Sequence, residues 1–122
     1  MIAYTTIGVS DMDKGKAFYA SLLEDMGVSV LMDLGRIAML GTGDGGPMLS
    51  VCVPYNEEAP SPGNGNMIAI PPGSTELVDK LHAKALEMGA TDEGAPGERM
   101  PGFYGGYFRD PDGNKICFCH LG

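Results

Sequence analysis

No stretch of the chain stays apolar for the ~18 residues a membrane-crossing helix needs, so no membrane partner is expected. Basic residues are scarce: 8 Lys and Arg stand against 16 Asp and Glu, a formal charge of −8. That excess would repel the phosphate backbone of a nucleic acid. It predicts an acidic surface, one able to attract a cationic ligand if the acids cluster near a cleft. Cysteine is also sparse. Three are present, an odd number, which predicts reduced thiols in a cytoplasm rather than a disulfide framework. Cys117 and Cys119 would sit ~6–7 Å apart along one strand, a geometry that does not suit a mutual bond. The opening residues lack a basic region, so no signal peptide is expected. No Gly-Lys-Ser/Thr follows the glycine-rich turn 41–47, and no Gly-x-Ser-x-Gly occurs anywhere, which removes a phosphate loop and a serine nucleophile.

What is present is a 122-residue chain, 43% apolar, sized for a single domain burying roughly two-thirds of its unfolded surface. Its clearest local signal lies near the end. Two β-type runs, 104–109 and 115–120, flank Asp110-Pro-Asp-Gly-Asn114. Pro111 presets φ and Asp112-Gly113 supplies the positive φ of a tight reversal, so the segment predicts a hairpin. Alternation sets Ile116, Phe118 and His120 on one face, and Lys115, Cys117 and Cys119 on the other. His120 and Cys119 therefore cannot act as a nucleophile pair.

Earlier in the chain, 2–9 reads as a strand, and Asp11 caps a helix running from Met12 to about Asp25, closed by Gly27. Strands follow at 28–33, 36–40 and 48–53. Residues 54–65 hold three prolines and two glycines and read as a linker or flap. The order then repeats: a strand at 66–70, a helix capped by Ser74 and striped with Val78, Leu81, Ala85 and Met88, then Gly89. His82 on that helix is expected at its surface or partly buried. Leu23-Glu-Asp-Met-Gly-Val28 echoes Leu86-Glu-Met-Gly-Ala90. The expected fold is α+β: two tandem βαβββ modules, about 1–53 and 66–122, forming a half-closed mixed β-barrel around a cavity. A unit of about 60 residues buries too little surface to stand comfortably alone, and the cavity is the default binding site.

Several motifs resemble the vicinal oxygen chelate superfamily of glyoxalases, bleomycin-resistance proteins and extradiol dioxygenases. They are Gly8-Val-Ser-Asp11 leading into Ala17-Phe-Tyr19, Ala85-Leu-Glu-Met-Gly-Ala90, Gly94-Ala-Pro-Gly-Glu-Arg99 and Tyr104 through Lys115. The resemblance implies a dimer and, in metal-dependent relatives, four strand residues (His, Glu or Gln) around one divalent ion. Carried over by motif, those places hold Tyr4, Ser50, Met67 and Cys117. A phenol, a hydroxyl, a thioether and a thiol do not suit Zn²⁺, Ni²⁺, Mn²⁺ or Fe²⁺, so no metal ligand and no cofactor is expected. The sulfur of Cys52, Met67, Cys117 and Cys119 leaves a soft ion such as copper as an alternative. The loop 95–103 should drape over the cavity mouth, where Arg99 could orient a carboxylate or phenolate with Tyr104 and Tyr107, or could instead fix the loop. The expected function is binding of a small, partly apolar molecule by a homodimer lined with Tyr4, Ser50, Cys52, Met67, Arg99, Tyr104, Tyr107, Cys117 and Cys119. The alternative is a metal-dependent lyase or isomerase of the lactoylglutathione lyase type; no residue is assigned a catalytic role.

Overall fold

The structure, a computed structural model, describes all residues from Met1 to Gly122. The chain divides into two compact units, Met1–Pro62 and Gly63–Gly122. Each contains one helix and one four-stranded mixed sheet, an α+β fold built from two βαβββ modules.

In the first unit β1 (Tyr4–Gly8) leads to α1 (Met12–Leu22), then to β2 (Ser29–Asp33), β3 (Ile37–Gly41) and β4 (Met48–Cys52). The sheet order is β1-β4-β3-β2, parallel only between β1 and β4. The Asp11 carboxylate accepts from the Lys14 N–H at 3.0 Å and starts α1. The helix is shorter than the sequence suggests. It gives way after Leu22 to a 3-10 turn at Glu24–Met26, which Gly27 ends at φ 77°. Phe18, Tyr19 and Leu22 bury one stripe of α1 over Ile7, Leu49, Val51, Ala38 and Leu40. Each such large side chain contributes on the order of 1.5–3 kcal/mol.

The second unit repeats the plan with β5 (Ile68–Ile70), α2 (Thr75–Glu87), β6 (Thr91–Met100), β7 (Phe103–Arg109) and β8 (Lys115–Leu121), in the order β5-β8-β7-β6. The Ser74 hydroxyl caps α2 by accepting from the Leu77 N–H at 3.2 Å. Val78, Leu81 and Ala85 pack over Phe108, Ile116 and Phe118. His82, expected at the helix surface or partly buried, is buried outright; its Nε2 lies 3.1 Å from the Tyr107 carbonyl and 3.2 Å from Asp92. The larger departure is β6. The expected loop over 95–103 is mostly strand, paired to β7 through three register shifts. Pro96 is tolerated because β6 is the outer strand and has an edge with no ladder to feed.

Residues 54–62 belong to the first unit rather than hanging free. A Cβ built on Gly8 would lie 2.8 Å from Pro60 Cβ, so this segment folds back onto β1 and requires glycine there.

Candidate functional site

Each sheet has one face under its helix and one face turned away, and the pleat decides which side chains reach the latter. In the first unit Ile7, Leu49 and Val51 face α1. Tyr4, Thr6, Met48, Ser50 and Cys52 therefore share the far face with Met39. In the second, Phe108, Ile116 and Phe118 face α2, so Tyr107, Arg109, Lys115, Cys117 and Cys119 lie on the far side.

The two far faces correspond. Thr6 pairs with Ser50, six residues before the start of α1, and Ala69 pairs with Cys117, six before the start of α2. Ser50 and Cys117 thus occupy equivalent places, as do Cys52 and Cys119 two residues on. Tyr4 and Met67 each precede those pairs by two residues, and both are exposed.

Ser50 is fully buried between Thr6 and Met39 on the neighbouring strands, and its hydroxyl has no hydrogen-bond partner. Such a group carries a desolvation cost of about 1–3 kcal/mol. Cys117 and Cys119 are buried free thiols on this face. Burial pushes the Cys117 thiol up to about 11, and the charge of Cys119 adds to the effect. It is a packed, protonated group, a poor nucleophile at neutral pH.

Tyr107 is the centre of the polar part of the face. The Arg99 guanidinium lies 5.3 Å from its ring centroid and the Lys115 ammonium 5.5 Å from it. Lys115 and Arg109 both pair with Glu93, at 3.3 and 2.9 Å. Those cations hold the Glu93 carboxyl below its usual range, the hydrogen bond from Arg109 foremost. Arg99 differs from its neighbours. It donates to the Ala95 carbonyl at 2.6 Å and is exposed, with no carboxylate among its contacts.

Tyr104 does not join this group. Its hydroxyl donates to Asp79 of α2 at 2.6 Å, which places it on the helix side, three residues and one pleat away from Tyr107. The Asp79 carboxylate raises the Tyr104 phenol above its ordinary value. Lys115 and Arg109, absent from the sequence-derived group, sit on the far face; alternation in the hairpin was the signal that could have found them.

The donors at the four carried-over places do not fit a hard divalent ion. Tyr4, Ser50, Met67 and Cys117 offer no imidazole and no carboxylate, and no three His, Cys, Asp or Glu side chains converge anywhere in the chain.

A family model described as the Glyoxalase/Bleomycin resistance protein/Dioxygenase superfamily matches residues 1–118. A crystal structure of a glyoxalase/bleomycin resistance protein from Albidiferax ferrireducens T118 is similar at 31% identity and a TM-score of 0.90, covering 100% of this chain and 99% of that one. A glyoxalase/bleomycin resistance protein/dioxygenase family enzyme from Burkholderia phytofirmans PsJN shares the fold at 22% identity and a TM-score of 0.79, covering 98% and 97%. A putative glyoxalase from Bacillus halodurans does so at 21% and 0.77, covering 98% and 94%. No curated protein matches the chain.

Proposed function

The chain belongs to the glyoxalase/bleomycin resistance protein/dioxygenase superfamily, and within it we propose a homodimeric binder of small molecules that uses no hard divalent ion. The ligand is partly apolar and carries one anionic group. The observation that supports this reading is the Arg99–Tyr107 stack. Every other cation beside that ring is already matched by Glu93, whereas Arg99 retains donors for a carboxylate or phenolate. Cys117, paired with Tyr107 across β7 and β8, and the Tyr107 ring itself supply soft, apolar contact for the rest of the molecule. The acidic composition left room for a cationic ligand if the acids clustered near a cleft; around Tyr107 the charged groups are instead Arg99, Lys115 and Arg109 against Glu93.

Arranged this way, the residues bind and orient a ligand. Catalysis of the lyase type would call for a metal to stabilise an enediolate and a carboxylate to move a proton, and the four equivalent places provide neither. The test is thermal unfolding of purified protein in a chelator, with and without aromatic carboxylates. A rise in Tm that scales with ligand concentration is expected. Stoichiometric nickel, zinc or manganese in the protein, with Tm falling on chelation, would overturn the proposal in favour of the lyase.

A further inference from the structure

An asparagine can react with its own backbone, which makes it a chemically labile residue. Its side-chain Cγ can close a five-membered ring with the nitrogen of the next residue. A glycine in that next place has no Cβ to obstruct the closure. The chain has four asparagines, at 56, 64, 66 and 114, and only Asn64 precedes a glycine.

The structure separates Asn64 from the other three. Asn114 is buried, and its side-chain amide donates to Asp110 at 3.0 Å. Asn56 accepts from the Glu58 N–H at 3.0 Å. The nitrogen that would have to attack Asn56, that of Glu57, donates to the Pro54 carbonyl at 2.9 Å. Asn66 folds its amide across Gly63, leaving no room for a Cβ there, and is followed by the bulkier Met67.

Asn64 and Gly65 are both exposed, in the turn 63–66 between β4 and β5. Neither the Asn64 side chain nor the Gly65 N–H has a hydrogen-bond partner. The turn is closed by a long bond, from the Asn66 N–H to the Gly63 carbonyl at 3.4 Å. Gly65, at φ 93°, has no atom within 4 Å of where a Cβ would stand. Two Asp-Gly pairs could close a similar ring, and both are restrained. Asp44 accepts from the Gly46 N–H at 2.9 Å and the Thr42 hydroxyl at 2.8 Å. After Asp112, the Gly113 N–H donates to the Asp110 carbonyl at 2.8 Å.

We propose that Asn64-Gly65 is a spontaneous modification site, where Asn64 converts through a succinimide to aspartate and isoaspartate. The Gly65 nitrogen gives its proton to hydroxide and bonds to Asn64 Cγ, and the side-chain nitrogen leaves as ammonia. Water then adds to either ring carbonyl and breaks the bond from that carbonyl to the ring nitrogen. Opening at Cγ restores the ordinary backbone, with aspartate at position 64. Opening at the backbone carbonyl routes the chain through Cβ and Cγ, as isoaspartate. Either product adds one negative charge to a chain of net charge −8. The turn lies outside every helix and strand, so the converted chain stays folded and accumulates.

The experiment incubates the purified full chain at neutral and at mildly alkaline pH. Peptide mapping by mass spectrometry follows all four asparagines, and enzymatic methylation of isoaspartate reports the rearranged product. Conversion at Asn64 is expected to run at least about tenfold faster than at the other three, since only its neighbour lacks a Cβ. The rate should rise with pH, because the Gly65 nitrogen must lose its proton. Asn64→Gln, which would need a six-membered ring, should lose the early acidic variant on ion exchange. An Asn64 that stays intact in the folded chain overturns the proposal; its conversion in urea would then show that the turn holds the two groups apart. Conversion of Asn56 or Asn66 at an equal rate overturns it as well.

Discussion

Asp110 and Asn114 clasp each other across the last reversal of the chain. One carboxylate oxygen accepts from the Asn114 N–H at 2.9 Å, the other from its side-chain amide at 3.0 Å, and both residues are buried. The first oxygen also accepts from the Asp112 N–H at 2.9 Å. Replacing Asp110 with Ala strands those donors and should destabilise the protein by about 2–4 kcal/mol, against roughly half that for Asn114→Ala. Urea unfolding measures both; a loss below ~0.5 kcal/mol for Asp110→Ala would show that the turn does not depend on the clasp.

The raised Cys117 thiol sets a pH dependence. The folded state keeps it protonated above its ordinary value of 9.0, up to about 11. Folding therefore binds this proton more tightly than the unfolded chain does. The contribution is complete below pH ~9 and is lost as pH rises toward about 11. The urea midpoint should fall over that window, and Cys117→Ala should flatten the fall. Burial also predicts that a disulfide reagent at pH 8 modifies half-buried Cys52 first, and Cys117 and Cys119 only slowly.

Ser50 offers a test with the opposite sign. Its buried hydroxyl has no partner, so Ser50→Ala should raise stability by about 1 kcal/mol rather than lower it. A destabilised variant would mean that the hydroxyl is satisfied in solution.

Arg99→Met should weaken an aromatic carboxylate about tenfold or more, with Arg99→Lys intermediate because an ammonium cannot bind bidentately. Isothermal titration reads the difference. Equal affinity for all three proteins would remove Arg99 from the site and leave it a support for the Ala95 carbonyl.

Gly15 stands inside α1, where alanine ordinarily gains up to about 1 kcal/mol over glycine. Here a Cβ would lie 2.8 Å from Cγ1 of the buried Val9. Gly15→Ala should therefore destabilise, and Gly15→Ala combined with Val9→Ala should recover part of the loss through close coupling of the two sites.

The hairpin of β7 and β8 was legible because its turn chemistry is local and strong, and the paired register follows from it. The repeat was legible for a similar reason: Gly27 at positive φ ends the 3-10 turn that follows α1, and Gly89 at positive φ follows the end of α2. β6 was not, because Gly94, Pro96 and Gly97 each argue against a strand when neighbours are unknown, and edge placement overrides that preference. The burial of His82 was hidden too, since only the fold brings Tyr107 and Asp92 to one imidazole. The pairing of Tyr104 with Tyr107 failed on parity alone, an odd spacing that places neighbours in sequence on opposite sides of the sheet.

Along β8 the duties are divided residue by residue. Ile116 and Phe118 face the helix, while Cys117 and Cys119, interleaved with them, lie on the opposite face of the strand. Mutation can therefore rewrite the chemistry of one side while the other keeps the architecture intact. A lineage built on this strand is free to exchange sulfur for nitrogen or oxygen without having to relearn how to fold.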